Sequence, residues 1–319
     1  MAAILISSSS SKVPLVRAVQ SASRKLSQPL QVLAGDSNPD VVTRYVADSF
    51  WNLPTTVDDQ LAAILDGCRE RAVAVIIPTR DGELAFWARH QAVLEESGIR
   101  VIVSGLAAVE LCLDKLAFAR FGSRRNFPFI PACEDPNGLD ADRFVVKERF
   151  GAGGRRIGIN LDRQAAVIHA KGLQNPIFQP FIEGTEISID AWLDRQHAVK
   201  GLVLRRREVV ANGESSITAT FRDSVIGGHA ACVLEALGLT GPAVMQALID
   251  SDGRLHIMEC NPRFGGASTA GIAAGLDPFY WSLVEASGVD VSACPFQRIS
   301  GEVRQVRVPT DIHLYGAGF

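Results

Sequence analysis

The sequence predicts an α/β protein in which an N-terminal domain built on a parallel sheet precedes two α+β subdomains. Three observations carry this expectation. Over the first hundred or so residues, short apolar runs alternate with stretches of helical period, the pattern of parallel strands joined by helical crossovers. From Phe144 onward the strand-like segments lengthen and alternate polar with apolar residues, and tight Gly, Asp or Asn turns separate them, as in antiparallel hairpins. The chain has 319 residues, more than one typical domain, so two or three packed units sharing a cleft are expected.

Taken in order, Ala3–Ser7 is a short apolar strand followed by the serine run Ser7–Ser11 and the amphipathic stretch Pro14–Leu26. Gln31–Ala34 is a second strand ending at Gly35-Asp36. Val57–Arg71 reads as a helix with Leu61, Ile64 and Leu65 on one face. Val73–Ile77, closed by Pro78, and Arg100–Val103 are further strands. The serine run reads first as a polar loop with Ser11 near the helix N-cap, and second as an anion cradle. No G-x-G-x-x-G follows the first strand, so a dinucleotide site lacks its main marker. In such sheets ligands collect at the carboxyl ends of strands, here the turns after Ser7, Ala34 and Pro78.

Pro128, Pro131 and Pro136 mark an irregular connection, and a boundary is expected between about Leu111 and Asp142. Beyond it, Pro176–Ile182, Thr185–Leu193 and His197–Val210 read as strands, and Arg163–Lys171 and Val225–Leu237 as helices. The expected domains are residues 1–112, 113–183 and 184–319, the last including a C-terminal tail.

Composition narrows the function classes. A net charge of −3 with 47% hydrophobic residues describes a globular protein without the basic excess a general nucleic-acid binder needs. The six cysteines form no C-x-x-C pair, so neither a zinc site nor a disulfide scaffold is expected. No H-E-x-x-H occurs. No signal peptide is expected at the N-terminus, and no apolar run reaches membrane-spanning length, so a cytoplasmic protein is expected.

Four segments carry chemistry. In the first, strand Phe144–Lys147 leads into a glycine-rich loop containing Gly151, Gly153 and Gly154. Glycines let backbone N–H groups approach a polyphosphate, and Lys147 offers a point charge. Alone, the segment reads equally well as a hairpin beside a surface lysine. In the second, Gln179-Pro180-Phe181-Ile182 followed by Gly184 interrupts a strand. That leaves backbone groups an adenine edge can pair, and Glu186 can accept from ribose hydroxyls. An edge strand with a hairpin turn is the equal alternative there.

The third and fourth segments, Gly241–Asp250 and Arg254–Gly266, form a hairpin that puts Glu259 and Asn261 on one side, with Gln246 on the neighbouring strand. Oxygen donors with a single carboxylate suit Mg²⁺ shared with substrate phosphates. Arg263 follows, placed to hold a transferring phosphoryl group. Arg205 and Arg207 share a strand face, and with Arg222 they are candidates for holding a substrate carboxylate. A solvated edge strand is again the equal alternative.

In this order the four segments resemble the ATP-grasp superfamily, and within it the carbamoyl-phosphate-synthase-like branch, on Glu259-x-Asn261-Pro262-Arg263 and Gln246. The resemblance implies a parallel-sheet domain preceding two α+β ATP-grasp subdomains with ATP held between them. It implies phosphate contacts from Lys115, in Asp114-Lys115, and from Lys147, which would also touch the adenine. It places adenine at Gln179–Ile182, ribose at Glu186, Mg²⁺ or Mn²⁺ at Gln246, Glu259 and Asn261, and phosphoryl stabilisation at Arg263. Gln179 stands where relatives often have glutamate, and Arg155 and Arg156 stand in a loop often rich in serine. The length lacks the paired halves of a carbamoyl phosphate synthase, so that synthesis by this chain alone is not expected.

The implied chemistry is an ADP-forming ligase that activates a small-molecule carboxylate as an acyl phosphate for attack by an amine. Two other readings stay open. One is a carboxylase-like or kinase-like subunit phosphorylating for a partner; the other is a non-catalytic nucleotide sensor, against which the intact metal set argues. Neither nucleic acid nor a membrane is an expected partner, and a homodimer is allowed.

Overall fold

The computed structural model describes residues 2–151, 156–211 and 214–315. Among the described residues, fourteen strands make three sheets. The first comprises β1 (Ala3–Ser7), β2 (Gln31–Asp36), β3 (Ser49–Asn52), β4 (Val73–Pro78) and β5 (Arg100–Val101) in the order β3-β2-β1-β4-β5. Every pairing in it is parallel. The second comprises β6 (Arg143–Glu148), β7 (Gly158–Asp162) and β8 (Pro176–Pro180). The third comprises β9 (Thr185–Leu193), β10 (Val199–Ala211), β11 (Glu214–Phe221), β12 (Gly241–Ile249), β13 (Leu255–Asn261) and β14 (Arg304–Val306). Their orders are β7-β6-β8 and β13-β12-β9-β10-β11-β14, all antiparallel.

The helices are α1 (Val13–Ser23), α2 (Leu61–Glu70), α3 (Asp81–Arg89), α4 (Gln91–Glu96), α5 (Leu106–Leu113), α6 (Lys115–Arg124), α7 (Arg163–Ala170), α8 (Ser224–Ala236), α9 (Thr269–Ala273) and α10 (Pro278–Ala286). The fold is thus a parallel-sheet N-terminal domain joined to two α+β units, as the sequence predicts. Details differ. Strand β3 has only four residues, too few for a periodic signal, and was not expected. The expected helix at Val57 begins at Leu61 after a short 3₁₀ turn over Asp58–Gln60. The serine loop passes the N-cap position of α1 to Lys12 rather than Ser11.

In the parallel sheet the chain winds outward from β1 to β3, then returns to the other side for β4 and β5. The crossover point therefore lies between β1 and β4, where their carboxyl ends open a crevice. One face of this sheet packs Leu5, Ile76, Trp87 and Val109 together. The other packs Ile4, Ile6, Val16 and Val19 with Phe264 and Phe279 from the far end of the chain. Phe264 and Phe279 stack with centroids 3.9 Å apart, and as a pair they pack on the N-terminal sheet.

The six-stranded sheet has one apolar face and one that is polar along much of its length and apolar around Trp192 and Val203, set by the two-residue period of strands. Ile187, Ile189, Ala191, Ala243, Met245, Ala247 and Cys260 point into a core shared with Ala230 and Val233 of α8 and Phe118 of α6. Glu186, Ser188, Asp190, Arg205, Arg207 and Gln246 therefore point the other way. The segment 128–133 ties the two antiparallel sheets. Ile130 donates its N–H to Ile257 O (2.9 Å), and Cys133 exchanges backbone bonds with Phe178 (2.8 and 3.0 Å). At the turn between β8 and β9 only glycine fits, because a Cβ on Gly184 would lie 2.6 Å from the Ile249 carbonyl oxygen.

Candidate active site

Regular alternation alone does not place the carboxylate of β13. Ile257 and Glu259 are two apart and would share a face, yet Ile257 faces the core. The register shift opposite Gln246 and Ala247, where Gln246 pairs Glu259 and Ala247 pairs Ile257, inserts a β-bulge that turns the strand. Beyond it Cys260 faces the core, and Glu259 and Asn261 join the polar face. There Asn261 Nδ2 donates to Glu259 Oε1 at 3.2 Å, and Gln246 sits in register between Ser188 and Glu259.

Arg207 joins these groups to the ribose candidate. Its Nη1 donates to Glu186 Oε1 at 2.6 Å and to Gln246 Oε1 at 2.9 Å, while Nε donates to Ser215 Oγ at 3.1 Å. Burial raises the pKa of Glu186 above its ordinary value; Arg207 opposes this and Glu259 adds to it. Glu186, Glu259, Gln246 and Arg207 therefore form one electrostatic cluster.

Across from it lies the three-stranded sheet. Lys147, on β6 and only 7% exposed, has its pKa pushed down to about 8 by burial; Glu259 opposes the shift and Lys115 reinforces it. Lys115, Lys147 and Glu259 thus lie near enough to feel one another's charge, although they come from three elements. Lys115 opens α6, with Asp114 as its N-cap accepting from the amides of Leu116 and Ala117 at 3.0 Å each. Asp114 is in turn gripped by Arg149, whose Nε donates to Oδ1 at 2.7 Å. Lys115 Nζ donates to Gly151 O. Gly151 has φ +108°, a conformation essentially reserved for glycine. The expected contacts at Gly153 and Gly154 lie outside the described residues.

Gln179 is 4% exposed, and its side chain donates to Ile130 O at 3.2 Å. The Phe181 amide donates to Arg143 O at 2.8 Å, so that N–H is already engaged.

Three arginines depart from expectation. Arg205 shares the face of Arg207, but it is enclosed and grips Asp190 through Nε at 2.6 Å and Nη2 at 3.1 Å. With each side chain 3% exposed, Arg205 is a structural ion pair rather than a carboxylate receptor. Arg222 turns onto the C-terminal segment, donating to Glu302 and to Ile299 O, so it anchors that segment instead of lining the site. Arg263 does sit beyond β13, but its guanidinium grips Asp81 of the parallel-sheet domain, Nε to Oδ1 and Nη2 to Oδ2, each at 2.6 Å. Asp81 was not among the expected site residues. The only signal for it was its position, three residues past Pro78, in a turn where ligands were expected to collect.

Sequence comparison bears directly on this arrangement. A family profile described as ATP-grasp in the biosynthetic pathway with Ter operon matches residues 173–309, and one described as PylC-like, N-terminal domain, matches residues 4–102. An ATP-grasp family profile thus matches the part of the chain that carries Glu186, Gln246, Glu259, Asn261 and Arg263. No curated protein matches this chain in sequence. Among solved structures it resembles the biotin carboxylase domain of Hydrogenobacter thermophilus 2-oxoglutarate carboxylase, in complex with MgADP, ADP and bicarbonate. The TM-score is 0.75 at 18% identity, over 94% of this chain and 73% of that one. It also resembles a Bacillus licheniformis L-amino acid ligase (TM-score 0.73, 16% identity, 98% and 81% covered). A third likeness is to Staphylococcus aureus N5-carboxyaminoimidazole synthetase complexed with ADP (0.70, 18%, 91% and 78%). At these identities the likeness speaks for the ATP-grasp fold.

The donor set fits magnesium. Among the described residues no group of three His, Cys, Asp or Glu could hold a metal alone. Glu259 with the amides of Asn261 and Gln246 instead offers one carboxylate and neutral oxygens, the partial shell Mg²⁺ takes when phosphates complete it. No helix among the described residues is long and apolar enough to cross a membrane.

Proposed function

We propose that this chain uses Mg-ATP to phosphorylate a small-molecule carboxylate, releasing ADP, and presents the acyl phosphate to an amine. The observation that carries the reading is the electrostatic coupling of the buried Lys147, on the three-stranded sheet, to Lys115 and to Glu259 on the six-stranded sheet, whose same face holds Asn261, Gln246 and Glu186. Cations on one side and oxygen donors on the other are what a polyphosphate with its divalent ion requires. In this reading the chain divides at about residues 112 and 183, with the nucleotide between the last two parts.

Adenine would lie along the hinge after β8. Because the Phe181 amide is engaged with Arg143, the donor to the adenine edge would be Ile182 N–H, beside the Phe181 carbonyl. Glu186 would accept from ribose, with Arg207 fixing its orientation. Lys115 and Lys147 would neutralise phosphate oxygens. Magnesium at Glu259, Asn261 and Gln246 would offset charge on the transferring group. Arg263 would steady that group in flight, where an interaction made mainly in the transition state raises the rate. A carboxylate oxygen attacks the γ-phosphorus and expels ADP. The amine then attacks the carbonyl carbon, and inorganic phosphate leaves carrying the bridging oxygen. Arg207, the candidate arginine bonded to Glu186 and Gln246, would hold those two groups in place beside the phosphates.

The test is isotopic. Carboxylates labelled with oxygen-18 are screened against amines, amino acids first, with ADP release as the signal. A productive pair should pass label into inorganic phosphate. Product formed with AMP release, or with phosphate free of label, would refute the acyl-phosphate route.

A further inference from the structure

The Asp81–Arg263 pair spans 182 positions of sequence and joins the N-terminal domain to the end of β13, the strand that carries Glu259 and Asn261. Its geometry is the fork-to-fork arrangement of guanidinium and carboxylate, the most directional ion pair available to proteins. The side chains are 19% and 12% exposed, and a third edge of the guanidinium is fixed by Nη1 donating to Phe264 O at 3.0 Å. The arginine backbone is set as well, its N–H donating to Asn261 O at 2.8 Å.

The other partner is equally constrained. Asp81 is the first residue of α3, on the turn after β4 at the crossover of the parallel sheet. The fully buried Glu83 pins that turn: Oε1 accepts the amides of Thr79 (2.9 Å) and Arg80 (3.1 Å), and Oε2 accepts Ser8 Oγ (3.0 Å) and Trp87 Nε1 (3.1 Å). Lys12 ties the β1 loop to the same turn through Ser8 O (2.7 Å) and Thr79 Oγ1 (3.0 Å). Behind the arginine, Phe264 is locked against Phe279 at the seam between the domains. Both ends of the pair therefore rest on rigid supports, and the guanidinium has one orientation.

We infer that Asp81 is a positioning residue for phosphoryl transfer: the N-terminal domain reaches across the seam and orients Arg263 beside Glu259 and Asn261. A pair that served only to hold two domains together would have no need to sit two residues past Asn261. A group that must meet charge at one point in the transition state does need an outside brace, because an arginine side chain has many rotamers and a displacement of about 1 Å can cost on the order of a hundredfold in rate. The inference rests on the role proposed above for Arg263, and the experiment separates the two.

In the full-length protein, Asp81→Asn, Arg263→Ala and the double variant are compared, using Mg-ATP with a mixture of the twenty amino acids as the probe and ADP as the readout. Asp81→Asn keeps the shape but weakens the fork. Its kcat should fall about tenfold to a hundredfold, with KM for ATP and MgADP affinity within about twofold of the parent. In the Arg263→Ala background it should cause no further loss, since there is nothing left to orient. The Arg263 Nε–H, bonded to Asp81 Oδ1, should exchange slowly in the parent and lose that protection in Asp81→Asn. Full activity in Asp81→Asn beside a crippled Arg263→Ala would overturn the inference and leave the proposed function standing. So would losses that add, accompanied by a lowered melting temperature, because those mark a merely structural contact. A fully active Arg263→Ala would remove the role of Arg263 itself.

Discussion

Lys147 is the residue where burial and function pull against each other. Taking an ammonium out of water disfavours its charged form, and burial pushes this one down to about 8, where an exposed lysine titrates near 10.4. The folded chain thus releases a proton between about pH 8 and 10.5 that the unfolded chain keeps. This penalty on the folded state is full below about pH 8 and is relieved as pH rises through that window. Binding runs the other way, because only the charged lysine attracts phosphate. We expect kcat/KM for ATP, which reports the free enzyme, to fall as pH rises through about 8 and to approach a tenfold loss per pH unit. Lys147→Arg, which stays charged, should move that fall out of range. A pH–rate profile of both proteins checks this; the same downturn in the arginine variant would assign it to another group. The residue's identity was legible in the sequence as a lysine closing a strand before a glycine loop. Its perturbed state was not, because Glu259 and Lys115 come from elements that only the tertiary fold brings near.

At the scale of elements, the buried Arg205–Asp190 pair shows how the polar sheet face is built. It couples β9 to β10, and Ser268 Oγ extends it by donating to Asp190 Oδ1 at 2.9 Å while accepting the Gly265 amide at 2.9 Å. The turn that follows Arg263 is thereby tied to the middle of the sheet. Removing one partner would strand a charge, so Arg205→Met should cost about 3–5 kcal/mol, whereas replacing both by apolar residues of similar size should cost far less. Denaturant unfolding of both single variants and of the double variant measures this, and losses that simply add would show that the pair is not energetically coupled. Strand periodicity correctly put Arg205 and Arg207 on one face but could not tell which would find a carboxylate waiting. Asp190 lies fifteen residues earlier on a strand whose pairing the sequence does not state. The same limit applies to β13: its Glu-x-Asn spacing was readable, but the bulge that turns Glu259 away from the core shows only in the register with β12. The long periodic strands β9 and β10 and the helices α7 and α8 were legible to within a residue or two. The four-residue β3 was not, because so short a run has no period to read.

For the whole molecule, the question is what the nucleotide does to stability. Its proposed contacts come from α6, β6, the hinge after β8 and three strands of the six-stranded sheet, elements that share few covalent neighbours. The unfolded chain cannot gather them, so a ligand that needs them together stabilises the native state by mass action. Mg-ATP at a hundred times its Kd should add about 2.7 kcal/mol. The metal's share can be isolated. Without it, Glu259 faces phosphate oxygens as one anion facing others, and ATP with a chelator should stabilise the fold much less than Mg-ATP. Glu259→Gln removes the only carboxylate of the proposed donor set while nearly keeping its shape. It should abolish ADP formation while retaining most of the stabilisation that ATP gives alone, and it should lose the increment that magnesium adds. Thermal melts of both proteins with ATP, Mg-ATP and chelator measure each of these quantities. If the magnesium increment survived intact in Glu259→Gln, the ion would sit elsewhere and the polar face of the six-stranded sheet would lose its central role. If neither protein responded to Mg-ATP, the site around Lys147 and Glu259 would hold some other polyanion.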